Sequence, residues 1–359
     1  MRVKKRVIFL LIIFTFGLLN GCGKSTKKVN EELTNKINAY VDTLSKDKNF
    51  SGAVLVAKKG TILTNKAIGN ANYELTVSTN LDTKFRIGNI TNSFTAAAIL
   101  QMEQKGVLSV EDTVVKYIPS YPKGDKITIS QLLNHTSGIP NYTTLDEFNS
   151  VARLNYPLQK VIDSFKSKPL EFVPGSKNKY SDSNYILLGF IIEKISGKKY
   201  FDYINEYLLK PLKMNNTGLI ENEVIIKNKA NGYNVNEEGK LENVIYQDPS
   251  RWFSSSGMYS TIGDLYLWDR ALYGEKIIDK KQINKFFNAE EGKDYVNGWS
   301  LDSYAGHKVI FQTNNVSGFS GSISRFIKDD STIIVLSNIT MSKDEMDKIV
   351  SNISVYLFQ

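Results

Sequence analysis

A chain of 359 residues with 42% hydrophobic and 23% charged side chains is long and apolar enough to bury a substantial core. Its single cysteine excludes an internal disulfide, and no metal-ligand spacing or cofactor motif occurs, so no metal and no cofactor are expected. The formal charge of +8 comes without a basic stripe or RNA-binding signature, which argues against a nucleic-acid partner.

The first residues bear on the compartment. Arg2, Lys4, Lys5 and Arg6 form a basic start, and an apolar run follows from Val7 through Phe16 to Leu19. The thirteen positions from Val7 to Leu19 fall short of the roughly 20 that span a bilayer, so the run reads as the core of a signal sequence. Its end, Leu19-Asn20-Gly21-Cys22, resembles a bacterial lipobox. Residues 1–22 are therefore expected to be a lipoprotein signal with Cys22 as the lipidation site, and residues 23–30 a polar tether. A lipid on Cys22 would hold the protein at the extracytoplasmic face of the cell membrane without spanning it. Without the four leading cations the charge falls from +8 to +4, a mild excess suited to anionic lipid or cell-wall polymer.

The remainder, 31–359, is expected to form one domain. Leu33, Ile37, Tyr40, Val41 and Leu44 share a helical face. Segments 51–57 and 61–67 read as strands paired across Lys58-Lys59-Gly60. Residues 89–250 are predicted to be mostly helical and loop-rich. Strand-like segments return at 306–311, 318–327 and 332–338. Ser342-Lys343-Asp344-Glu345 matches a capping box, and Met346, Ile349, Val350, Ile353 and Leu357 give the helix after it an apolar face. The expected fold is α/β (α+β): an antiparallel sheet from both chain ends (about 31–88 and 251–359), flanked by N- and C-terminal helices, with a helical part (about 89–250) inserted.

Several short strings carry a resemblance. They are Phe85-Arg86-Ile87-Gly88 with Asn89 to Ala96, then Leu132-Leu133-Asn134-His135-Thr136-Ser137-Gly138-Ile139-Pro140, then Pro174-Gly175 with Tyr180-Ser181-Asp182 to Gly189. Ser256 to Thr261 with Asp264, Leu265 and Trp268, then Gly298-Trp299, then Gly318-Phe319-Ser320, complete the set. In this order they resemble the serine β-lactamase and D,D-peptidase (penicillin-binding protein) superfamily, in its class C β-lactamase-like branch. The resemblance implies a β-lactamase/transpeptidase-like fold and acyl transfer. In that chemistry a Ser-x-x-Lys pair sits at a helix start, a Tyr-x-Asn motif faces it, and a Lys-Thr-Gly or His-x-Gly strand forms the opposite wall.

The matching positions depart from that pattern. The serine position is Asn89 and the lysine position Asn92, and an amide offers neither a hydroxyl to acylate nor a basic nitrogen. Tyr180 is kept, but Asp182 replaces the asparagine two residues on. The third motif falls on Gln312-Thr313-Asn314, where only Thr313 fits. With no neighbouring cation, nothing pulls the Tyr180 phenol below its ordinary pKa, and a nearby Asp182 would raise it. Asn89 also suits a helix N-cap. Ser93 shares the helix face of Asn89 about 6 Å deeper, and Ala96 in its i+3 position cannot act as a base, so Ser93 is not expected to be a nucleophile. His135 is expected to be buried and structural, and His307 to sit on a surface strand.

The leading expectation is a pseudoenzyme lipoprotein that keeps the cleft and binds a peptidoglycan-like or D-amino-acid peptide ligand. The alternatives are a hydrolase working by another route, such as water activated by Asp182, and an immunity or interaction lipoprotein with a protein partner.

Overall fold

The computed structural model describes residues 19–46, 50–287 and 295–359. The basic, apolar leader at 1–18 lies outside them, as does the side chain of Cys22. Helix α1 covers Leu19–Leu44. Its backbone takes in the segment 23–30 expected to be a tether: from Lys24 to Leu44 no Gly or Pro interrupts it, and Lys and Glu propagate a helix readily. Ile37, Val41 and Leu44, spaced for one helical stripe, are buried.

Strands β1 (Gly52–Lys58) and β2 (Thr61–Ile68) form the expected hairpin. Helices α2 (Thr91–Gln104), α3 (Asp182–Ser196) and α4 (Ile262–Ala271) follow with the loops between them. The C-terminal portion adds β3 (Tyr295–Val296), β4 (Trp299–Tyr304), β5 (His307–Val316), β6 (Phe319–Phe326), β7 (Ser331–Ser337) and helix α5 (Lys343–Phe358). The seven strands form one sheet in the order β3-β4-β5-β6-β7-β1-β2, every neighbour antiparallel. The two chain ends are joined where β1 pairs with β7, from Gly52 opposite Ser337 to Lys58 opposite Ser331.

Strand β1, Gly-Ala-Val-Leu-Val-Ala-Lys, is buried on both faces, because side chains alternate across a strand and each face meets an apolar layer. Ala53, Leu55 and Ala57 enter the large core against the helical part. Val54 and Val56 enter a second core with Ile37 and Val41 of α1 and Ile349, Val350 and Ile353 of α5. In β7, Ile334 and Leu336 point one way, Ile333 and Val335 the other. The capping box forms as read: the Ser342 hydroxyl accepts from the Glu345 amide at 3.2 Å, and Glu345 accepts from the Ser342 amide at 2.7 Å.

Helix α2 is buried on nearly every side, including Thr91, Asn92, Ser93 and Thr95. Such a helix carries no amphipathic stripe and must be enclosed by neighbours. Phe94 stacks on Trp268 of α4 at 4.2 Å. Two short strands, Phe85–Arg86 and Met258–Ser260, pair just before α2 and fix its approach. Among the described residues no helix is long and apolar enough to cross a membrane.

Candidate functional site

The site is assembled at the start of α2. The tight turn Gly88–Ile90 leads into it. Gly88 takes φ +42°, and a Cβ there would collide with the side-chain amide of Asn314 on β5, so glycine lets the turn lie against that strand. Asn89 is not a helix cap. The residue preceding α2 is Ile90, and no side chain caps the helix. The amide of Asn89 instead reaches across the site.

Asn89 and Asn92 stand three residues apart, one turn of the same face. Both donate to the Tyr180 hydroxyl, Asn92 Nδ2 at 3.0 Å. The hydroxyl in turn donates to Asp182 Oδ1 at 2.9 Å. With two bonds accepted and one donated, the phenol's hydrogen-bonding capacity is used up. Tyr180 lies two residues before the start of α3, with its ring 4.5 Å from that of His135 and 6.0 Å from that of Tyr295.

Asp182, the first residue of α3, is buried. Its Oδ2 accepts from Asn141 Nδ2 at 3.3 Å and Thr143 Oγ1 at 3.5 Å, and Asn89 Nδ2 lies 3.4 Å from its Oδ1. Burial raises the Asp182 pKa above the ordinary 3.8, opposed by the hydrogen bonds of Tyr180, Asn141 and Thr143. Burial, and then the charge of Asp182, push the Tyr180 phenol well above its ordinary value. A phenol held in its protonated form cannot take a proton from a nucleophile.

β5 forms the opposite wall. Its last partner on β4 is Phe311, opposite Ser300, while Gln312 to Val316 pair with β6 alone. Among the described residues, one edge of β5 therefore has no strand neighbour at Gln312 and Thr313, and the Gly88–Ile90 turn lies against Asn314 and Val316. Asn314 is buried; its Nδ2 donates to the Arg86 carbonyl at 2.6 Å and its Oδ1 accepts from the Val316 amide at 3.2 Å. It closes one end of the groove where a glycine would leave room.

Between these walls lies a cleft of about 480 Å³, lined by Asn89, Tyr180, Gln312 and Thr313 together with Tyr295, Ser300, Leu301, Asp302, Phe311 and Lys343. All seven positions read from the sequence thus meet in one place. Asn89, Tyr180, Gln312 and Thr313 face the cleft; Asn92, Asp182 and Asn314 are buried around it. Sequence reasoning missed Asn141 and Thr143, the supports of Asp182, although Asn141 directly follows the 132–140 string. It also missed Lys343, visible beforehand only as part of the capping box, and the strand residues Tyr295, Ser300 and Asp302.

The secondary candidates are all accounted for. Ser93 is fully buried; its Oγ donates to the Ile90 carbonyl at 2.8 Å and accepts from Trp268 Nε1 at 3.1 Å, out of reach of any substrate. His135 is buried, with Nδ1 accepting from the Ser181 amide at 3.2 Å, and desolvation lowers its pKa to about 3, so it stays neutral. His307 lies on β5, partly exposed, paired with Asp329 at 2.9 Å and stacked on Phe358 at 3.9 Å.

The β-lactamase family profile matches residues 37–353. A penicillin-binding protein of Bacillus subtilis (strain 168) is 32% identical over 320 residues, covering 83% of this chain and 70% of its own. The crystal structure of a penicillin-binding protein from Bacillus halodurans superposes with a TM-score of 0.80 at 24% identity, covering 88% of this chain and 98% of the other. That of a D-amino acid amidase from Ochrobactrum anthropi gives 0.81 at 20% identity, with 91% and 98% covered. The ordered strings, the sheet built from both chain ends and the family match together place this chain in the serine β-lactamase and penicillin-binding protein superfamily.

Proposed function

We propose that this chain is a non-acylating member of its superfamily, a binding protein that keeps the cleft and has given up covalent chemistry. The observation that carries the reading is the closed set of hydrogen bonds around the Tyr180 hydroxyl, fed by two asparagine amides and drained to Asp182. Neither asparagine offers a hydroxyl to acylate, the Asp182 carboxylate is buried and hydrogen-bonded, and the phenol is held protonated. The alternative of water activated by Asp182 is disfavoured, because both of its oxygens are already engaged by the donors Tyr180, Asn141 and Thr143.

The ligand class we infer is a peptide of the cell-wall or D-amino-acid type. The edge of β5 at Gln312 and Thr313, which has no strand beside it among the described residues, suits an extended peptide backbone, which can add to an unpaired strand. Asn89, Ser300 and Thr313 offer neutral polar groups, Phe311 and Leu301 an apolar surface, and Lys343 a positive charge for an anionic end. That the superfamily includes penicillin-binding proteins and a D-amino acid amidase favours the same chemistry. The protein would act outside the cytoplasm, held to the membrane by a lipid on Cys22.

Intact-mass spectrometry after incubation with benzylpenicillin tests the first half, and no adduct is expected. Melting-temperature measurements with muropeptides test the second, since a ligand that binds only the folded state raises its stability. A stoichiometric adduct would refute the non-acylating reading, and absence of any shift across a muropeptide panel would refute the ligand class. Cys22→Ser should release the protein from membranes, and unchanged fractionation would refute the anchor.

A further inference from the structure

Away from the cleft, Arg251 presents an unsolved charge. Its side chain is fully buried. The guanidinium lies against the Phe148 ring, Cζ 3.5 Å from the centroid, and one Nη donates to the Phe148 carbonyl. Nε and the other Nη have no partner, and Arg251 forms no ion pair among the described residues. Asp248, the acid acting on it electrostatically, is already engaged: Oδ1 accepts from the Ser250 amide at 3.0 Å and hydroxyl at 2.6 Å, and Oδ2 accepts from Asn222 at 2.8 Å and Tyr246 at 3.2 Å. A buried cation with two unmatched donors is costly unless something neutralises it.

Arg251 lines a cavity of about 10 Å³ walled also by Tyr142, Phe148, Val151, Tyr156 and Glu147. That is room for one water-sized guest, too little for a phosphate or sulfate. The aromatic walls favour an ion that sheds its water readily. Glu147, exposed, has Oε1 accepting from the Tyr156 hydroxyl at 2.8 Å and makes no ion pair with Arg251. A wider, charged hollow of about 430 Å³ sharing Glu147, Tyr156 and Ser164 with the cavity adjoins it, a route in from solvent.

We propose that Arg251 anchors a binding site for a single halide-sized anion, chloride or its equivalent, which fixes the Asn141–Thr144 turn that supports Asp182. The connection is continuous. The Tyr142 hydroxyl donates to the Arg251 carbonyl at 2.6 Å, and the Tyr142 amide donates to Ser183 Oγ at 2.9 Å. On either side of Tyr142, Asn141 and Thr143 hold Asp182 Oδ2. The guest would thus stiffen one support of the cleft without touching the cleft's ligand.

The test is a melting-temperature titration of the purified protein with sodium chloride and sodium bromide against sodium gluconate at matched ionic strength. A saturating, halide-specific rise is expected, on the order of 5 °C at a hundredfold excess over Kd. Arg251→Gln should abolish it. Val151→Ile, which adds one methylene to the cavity wall and spares the charge, should abolish it too, and it keeps the test independent of whether Arg251→Gln folds. A crystal soaked in bromide should show anomalous scattering within hydrogen-bond distance of Arg251 Nε or Nη. Equal stabilisation by gluconate, a bromide peak elsewhere only, or Glu147 turned inward to pair with Arg251 would each overturn the proposal.

Discussion

Tyr180→Phe should damage stability, where an acylating relative would be expected to lose rate. The hydroxyl joins three buried or half-buried groups. Removing it deletes a bond to a buried carboxylate, about 1.5–3 kcal/mol. It also strands Asn92, whose side chain is fully buried and whose Oδ1 has no partner already, for a further ~1–3 kcal/mol. Asn89 retains Asp182 Oδ1 at 3.4 Å as a fallback and adds little. The sum is about 2.5–6 kcal/mol. Asn92→Leu, close in shape and already lacking one partner's worth of bonding, should stay within about 1 kcal/mol of the parent. The double substitution removes both ends of the contact and should be milder than the sum of the singles by about 2 kcal/mol. Urea denaturation of the four proteins measures all of this. A Tyr180→Phe cost below about 1 kcal/mol, or strict additivity in the cycle, would refute the claim that this hydroxyl is the structural hub.

Three further outcomes are expected. Asn89→Ser with Asn92→Lys should give slow acylation by a reactive β-lactam with little turnover, because Gln312 and Asn314 still deform the opposite wall; Asn89→Ser alone should do less, and a folded but inert double variant in a mass assay would count against the site. Asp182, whose folded pKa is raised, contributes stability in full below about pH 3.8 and loses it as pH rises through the folded value, so Asp182→Asn should flatten the urea midpoint against pH above that point; an unchanged profile would refute it. Lys343→Gln should weaken binding of a carboxylate-ended muropeptide by roughly threefold to tenfold at low salt and leave its amide analogue unaffected; equal loss of both would show that Lys343 does not read charge.

The sequence reveals the fold wherever its periodicity is local. The β1–β2 hairpin and the α5 capping box could be read from neighbouring residues, since each is decided within a few positions. β4 could not: Trp299 to Tyr304 is half polar, has only the two-residue β3 on one side, and needs its pairing with β5 to be a strand. The ends of β5 were hidden likewise, because Gln312-Thr313-Asn314 looks nothing like a strand until β6 lies beside it. The site positions were recoverable because the family strings keep their order. Their chemistry was only half visible. The loss of a nucleophile follows from Asn89 by inspection, whereas the shared bond of Asn89 and Asn92 to Tyr180 joins residues about 90 positions apart.

The seam between β1 and β7 also governs when the protein can fold. β1 lacks its β7 neighbour until residues 331–337 have been made, so this strand must wait for the chain's last tenth. Contacts of such long sequence separation form slowly. A chain that waits this long leaves β1 without its partner through most of synthesis, and the sheet closes only once the tail is complete.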